Sequence, residues 1–193
     1  IINNTIYAAS KDDMKPVLQG IYLLFENNQI ISVATDGHKL VKVTTPTTST
    51  FSGSIIVPVK FLETVKALIE NDIEIHVGEN HIQTTCGSAT ISSRIIREKY
   101  PDYEKVIPKD NPYKLLVEKE TLVDSVKRVS IFSNKTTKQI SLNICSEEIT
   151  ITTEDAESVT SAVEKIPCKY DGETTTIGYN ANFLIEVMKQ QST

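Results

Sequence analysis

Few residues in this chain have the types and spacing that chemistry needs. Asp36-Gly37-His38 sets a carboxylate two residues from an imidazole, the raw material of a general acid–base pair. Such a pair needs a nucleophile, and no G-x-S-x-G pattern accompanies it. The plain alternative is a tight turn, because Asp-Gly tolerates the positive φ that a hairpin demands. His76 and His81 flank a turn near Glu74 and Glu79. They fall short of a complete ligand set, so solvated polar positions explain them better than a metal does. Glu154-Asp155-Ala156-Glu157 is acidic enough to suggest calcium but lacks EF-hand spacing. Cys86, Cys145 and Cys168 are odd in number and contain no C-x-x-C, which argues against a disulfide framework and a structural zinc. They point to a reducing, cytoplasmic compartment. There is no P-loop and no Rossmann fingerprint. The expectation is no metal, no cofactor and no catalytic residue, with a hydrolase using Asp36 and His38 ranked last.

The elements that would carry these residues are mostly strands. The 193 residues include 24 Ile, 16 Val and 22 Thr, about a third of the chain in β-branched types. That excludes an all-helical bundle. With 7 Gly, 7 Pro and 23% charged residues, disorder and collagen are excluded too. No apolar run reaches the roughly 18 residues of a membrane helix. The net charge of −5 excludes a strongly basic grip on nucleic acid as a whole-chain property, though not a local basic face. Ile2, Ile6 and Ala9 read as the end of an amphipathic helix, and the opening Ile1-Ile2-Asn3-Asn4 as a cut within a longer protein. Ile21–Phe25, Ile30–Ala34 and Leu40–Val43 read as strands, with turns at Asn27-Asn28 and Asp36-Gly37 and a loop from Thr44 to Ser54. Phe61, Leu62, Val65, Leu68 and Ile69 make one helical stripe over Pro58 to Glu70, ended by Asn71-Asp72. Strands follow at Ile73–Val77, Ile82–Cys86 and Ala89–Ile96, then an extended linker from Tyr100 to Pro112. Beyond it, helices are expected over Lys119 to Ser130 and Asn180 to Lys189, the latter capped by Asn180, with strands at Ile140–Ile144 and Ile149–Ile151.

The two halves repeat. Phe61-Leu62-x-x-Val65-Lys66 returns 122 residues later as Phe183-Leu184-x-x-Val187-Met188-Lys189. Ser10-Lys11 returns near Ser133-Asn134, 123 residues later, and the strand–helix order is the same between them. A period of this size is too long for a solenoid and signals duplicated domains.

Five stretches resemble one family in order and in register. They are Lys15-Pro16-Val17-Leu18-Gln19-Gly20, Ala34-Thr35-Asp36-Gly37-His38-Lys39-Leu40, Tyr100-Pro101-Asp102-Tyr103-Glu104-Lys105-Val106-Ile107-Pro108, Ser133-Asn134-Lys135 and Ile177-Gly178-Tyr179-Asn180. Together they resemble the bacterial DNA sliding clamps, the beta subunit of DNA polymerase III. The resemblance implies an α+β fold of repeated DNA-clamp domains, with antiparallel sheets outside and paired helices inside. It implies a second clamp domain over residues 1–112, lacking the start of its first helix, and a third over 113–193, lacking its C-terminal part.

The resemblance also implies a role and sites. Such clamps are non-catalytic processivity factors: a head-to-tail dimer encircles duplex DNA, and a hydrophobic groove takes peptides from polymerase and clamp loader. Carried over by position, that groove comprises Leu18, Thr35, Gly37, His38, Lys39, Leu40, Pro101, Lys105 and Val106, closed by Asn180 and Phe183. Lys39 and Lys105 stand where the family more often has Arg, and Phe183 where it has Tyr. Lys60, Lys66, Lys127, Arg128 and Lys189 would face DNA phosphates, Lys60 foremost. Acidic Glu63, Glu70 and Asp124 on the same helices suit loose, sequence-independent contact. The competing reading is a stand-alone β-rich peptide-binding adaptor that has the groove without the ring.

Overall fold

A computed structural model describes residues 1–69 and 73–190; the expected helix end at Glu70, Asn71 and Asp72 lies outside the described residues. The chain divides into two compact units, Ile1–Ile107 and Pro108–Thr193. That division falls five residues before the boundary expected at 112, and it leaves Tyr100, Tyr103 and Glu104, which are fastened to the first unit's sheet, with that sheet.

The first unit opens with α1 (Ile2–Thr5), a 3₁₀ turn at Ile6–Ala8 and another at Pro16–Gln19. Strands β1 (Gly20–Glu26), β2 (Gln29–Thr35), β3 (Leu40–Pro46) and β4 (Gly53–Pro58) form an antiparallel sheet in the order β3-β2-β1-β4. The β1–β2 connection is the tight hairpin turn: Asn27 and Asn28 both take positive φ, 52° and 58°, as a two-residue turn of this hand requires. Asp36-Gly37 does not form such a pair. Only Gly37 is at positive φ (94°), and the β2–β3 loop runs over four residues. The expected loop from Thr44 shrinks as well, since β3 continues to Pro46 against β2. Helix α2 (Val59–Leu68) follows, and β5 (Ile75–Val77), β6 (His81–Cys86) and β7 (Ala89–Arg94) make a second antiparallel sheet.

Strand alternation sends neighbouring residues of the first sheet to two different cores. Ile21, Ala34, Ile55 and Val57 pack toward α2, with its Phe61, Leu62 and Val65, and toward Ile82 and Cys86. Val33 and Ile56 face the other way, into a smaller cluster closed by Tyr100. This sheet is therefore buried on both faces.

The second unit has β8 (Leu115–Leu116), α3 (Lys119–Ser130), β9 (Gln139–Ile144), β10 (Glu148–Asp155), β11 (Thr160–Pro167), β12 (Lys169–Tyr170), β13 (Thr175–Asn180) and α4 (Ala181–Gln190). Its main sheet is antiparallel in the order β11-β10-β9-β13, and β12 pairs with β8. Helix α3 is capped by Glu118, whose carboxylate accepts from the backbone N–H groups of Glu120 and Thr121. Asn180 caps α4, its Oδ1 accepting from Asn182 N–H at 2.9 Å and Phe183 N–H at 3.4 Å. Leu122, Val126 and Val129 of α3 bury against Ile140, Leu142, Ile149 and Ile151. Strands β11 and β13 form without having been read from the sequence, because neither alternates cleanly between apolar and polar residues.

Candidate functional site

The most constructed surface of the first unit is the β2–β3 loop with its neighbours. Asp36 organises it. Its Oδ1 accepts from the N–H groups of His38 (2.8 Å) and Lys39 (2.9 Å), while Oδ2 meets Lys39 Nζ at 2.6 Å. The Asp36 and Lys39 side chains are only 15% and 10% exposed, so this pair is partly screened from water. Burial pushes the Asp36 carboxyl upward, but the Lys39 ammonium and the two backbone donors outweigh it and hold the group below its ordinary value of 3.8. Thr35 completes the loop: its hydroxyl donates to Lys39 C=O (2.7 Å) and accepts from Gly37 N–H (3.0 Å). Asp36 is thus a structural acceptor, and Gly37 supplies the left-handed backbone between the donors. Sequence reasoning weighed Asp36 as an acid and left it out of the site. That role has a sequence signal, an aspartate immediately before a glycine, where the carboxylate can accept from the backbone two residues on.

Leu18 and Leu40 pack on the small core of Val33, Ile56 and Tyr100. Pro101 and Val106 lie on the segment that Tyr100 anchors, and Val106 is 67% exposed. Lys105 is exposed and pairs with Asp102 at 2.9 Å. Leu18, Leu40 and the Tyr100 segment therefore meet on one face of the unit, from three separated stretches. The second unit holds Asn180, as the α4 cap, and half-buried Phe183 one turn further on.

Sequence reasoning missed the aromatic residues beneath this face. Tyr22 stacks on Tyr100 with centroids 5.2 Å apart, and Tyr103 tilts onto Tyr22 at 5.9 Å. The Tyr100 hydroxyl lies 3.4 Å from Val33 C=O, and burial pushes its pKa up to about 12. A separate crevice of about 660 Å³ borders the cluster, lined by Tyr22, Ile56, Ile96, Arg97 and Tyr103, and shares Pro101 with the expected groove.

The basic candidates divide. Lys60 and Lys66 are exposed along α2, and Lys189 is exposed in the last turn of α4. Lys127 is paired with Asp124 at 2.7 Å. Arg128 is held by the Glu164 carboxylate through Nε and Nη2, with Ser125 Oγ accepting as well. Among the described residues, no three His, Cys, Asp or Glu side chains gather as a metal would need; His76 lies 3.7 Å from Glu74, both exposed. No helix among them is long and apolar enough to cross a membrane.

Two α+β units with one strand order, each setting helices against an antiparallel sheet, define a tandem-repeat protein of the clamp-domain type. The family model of the DNA polymerase III beta subunit, central domain, matches residues 1–102, and that of its C-terminal domain matches residues 104–193. The chain belongs to the DNA polymerase III beta subunit family. It is 29% identical over 198 residues to the beta sliding clamp of Pseudomonas putida, covering 100% of this chain and 54% of that protein. It is 30% identical over 199 residues to that of Caulobacter vibrioides, covering 98% and 53%. Among solved structures, the Pseudomonas aeruginosa sliding clamp bound to griselimycin matches with a TM-score of 0.91 and 28% identity, covering 100% of this chain and 54% of that one. The C. crescentus beta sliding clamp matches with a TM-score of 0.92 and 29% identity, with the same coverage. The chain spans about half the length of the relatives it matches.

Proposed function

We propose that the chain supplies the central and C-terminal domains of a non-catalytic DNA polymerase processivity factor. In this reading a ring-shaped, head-to-tail dimer of the whole protein encircles duplex DNA in the cytoplasm and tethers the replicative polymerase, clamp loader and other partners. The observation that carries the reading is the match of two domain models of one family, in order, along nearly the whole chain.

Two surfaces divide the work. Leu18, Thr35, Gly37, His38, Lys39, Leu40, Pro101, Lys105 and Val106 form the peptide-binding surface of the first unit, and Asn180 and Phe183 are the second unit's own candidate peptide contacts. The exposed valine at 106 is an anchor point: a partner's leucine or phenylalanine buried there gains roughly 1.5–3 kcal/mol. The Asp36 hydrogen bonds keep the loop in one shape before the peptide arrives, which lowers the ordering cost of binding. Lys60 and Lys66, with Lys189, give loose contact to phosphates without reading sequence. Lys127 and Arg128 contribute less, because carboxylates of this chain already hold them. A ring retains DNA by topology, so a net charge of −5 is compatible with the role.

The test is Val106→Asp, a change at an exposed position that leaves the core intact. Affinity for a fluorescein-labelled peptide from the replicative polymerase should fall about ten- to a hundredfold, matching the lost burial. The full-length variant should also lose processive synthesis on primed circular DNA with its loader. A folded variant with unchanged peptide affinity and unchanged processivity overturns the reading.

A further inference from the structure

Residues 106–114 contain neither helix nor strand, so the placement of Val106 depends on what fastens the short 3₁₀ turn Tyr103–Lys105 just before it. That turn is closed by Val106 N–H donating to Tyr103 C=O at 3.2 Å. Two attachments hold it to the sheet. One is Tyr103 leaning on Tyr22. The other comes from Lys42 on β3, 62 residues away in sequence: its Nζ lies 2.5 Å from Glu104 Oε1 and 5.5 Å from the centroid of the Tyr103 ring. One ammonium thus engages two consecutive residues of the turn, one by charge and one through the ring face. The Lys42 and Glu104 side chains are 32% and 45% exposed. The Glu104 carboxylate beside it raises the Lys42 pKa, so the ammonium stays charged throughout the neutral range.

We propose that Lys42 and Glu104 are positioning residues of the peptide groove: their ion pair straps the Tyr103–Val106 turn to β3 and so sets the fraction of molecules able to bind. The inference rests on the groove reading above and extends it to two residues that the resemblance does not assign. Neither residue touches the peptide. They act through Val106, and an apparent dissociation constant rises in inverse proportion to the competent fraction. A half-exposed ion pair contributes little to global stability, so the effect is local.

The experiment uses the 193-residue chain and the labelled polymerase peptide, with Lys42→Ala, Glu104→Ala and the exchanged pair K42E/E104K. Each alanine variant should weaken binding about threefold, and the exchanged pair should recover most of that loss. In about 1 M NaCl the difference between wild type and the alanine variants should largely vanish. Hydrogen exchange at the Val106 amide should speed up in both alanine variants and slow again in the exchanged pair. Alanine variants that bind as tightly as wild type, while Val106→Asp weakens binding about ten- to a hundredfold, overturn the strap and leave the groove standing. If Val106→Asp binds normally, the groove reading falls, and unchanged Val106 exchange in the alanine variants then overturns the strap independently.

Discussion

The two four-stranded sheets share one strand order, yet their faces turned away from the helices are opposites. In the first unit, directly paired residues across that face are Lys42, Val33, Tyr22 and Ile56. The equivalent row in the second unit is Val163, Thr152, Ser141 and Gly178. Backbone pairing has been kept through the duplication while the chemistry has diverged. Apart from Lys42 at its edge, the first row is apolar and aromatic, and Tyr100 and Tyr103 lie on it. The second is small and largely polar, with Val163 67% exposed, and a shallow crevice of about 580 Å³ runs over it. A sheet face can hold a segment lacking regular structure only where it offers area to bury. The first unit does so, and its candidate groove segment lies on that face; the second row has no side chain to match Tyr22.

The sharpest way to break this contrast is to remove the keystone. Tyr100→Ala deletes a buried ring from the small core and should cost the first unit about 3–5 kcal/mol. Hydrogen exchange of the β2 amides should report the loss, while β9 amides in the second unit stay unchanged. Equal losses in both units would show that the far-face core is not a feature of the first unit alone.

The strands with clean alternation, such as Ile140–Ile144, and the helices with an apolar stripe were legible in the sequence, because periodicity is local. Helix α3 covers Lys119–Ser130, as its Leu122, Val126 and Val129 spacing predicts. The far-face core was not legible. Tyr22, Tyr100 and Tyr103 are as much as 81 residues apart, and no local pattern says that they stack. Lys42 and Glu104 are hidden for the same reason. The groove stretches were found through the family resemblance, whereas the hydrogen bonding that shapes the β2–β3 loop came only with the structure.

A smaller effect separates the two β-hairpin loops that end these sheets. In the first unit Asp36 gathers two backbone donors and Lys39. Asp36→Ala removes three hydrogen bonds to a charged acceptor and should cost about 1–3 kcal/mol at neutral pH. The sign with pH follows from the lowered carboxyl pKa. The stabilisation is fully present above the unfolded value near 3.8 and is lost as pH falls through the lower folded value. Stability curves of wild type and Asp36→Ala should therefore converge in acid. A gap that stays constant down to the acid limit would mean that the carboxylate's charge does not matter.

The corresponding loop in the second unit, between β10 and β11, offers the smallest and cleanest contrast. Where the first loop places Gly37 at φ 94°, the second places Val159 at φ 52°, with its side chain 89% exposed. A β-branched residue in the left-handed region crowds its own Cβ against the backbone, at about 1–2 kcal/mol, and this side chain has almost no burial to offset that. Val159→Gly relieves the crowding but gives the unfolded chain more freedom, which takes back about 0.5–1 kcal/mol. The net expectation is a second unit more stable by about 0.5–1 kcal/mol, read as slower exchange of β10 and β11 amides with no change in β2. A neutral or destabilising result would mean that Val159 is held in place by a gain its exposure does not reveal, and the two loops would then be solving the same turn by different means.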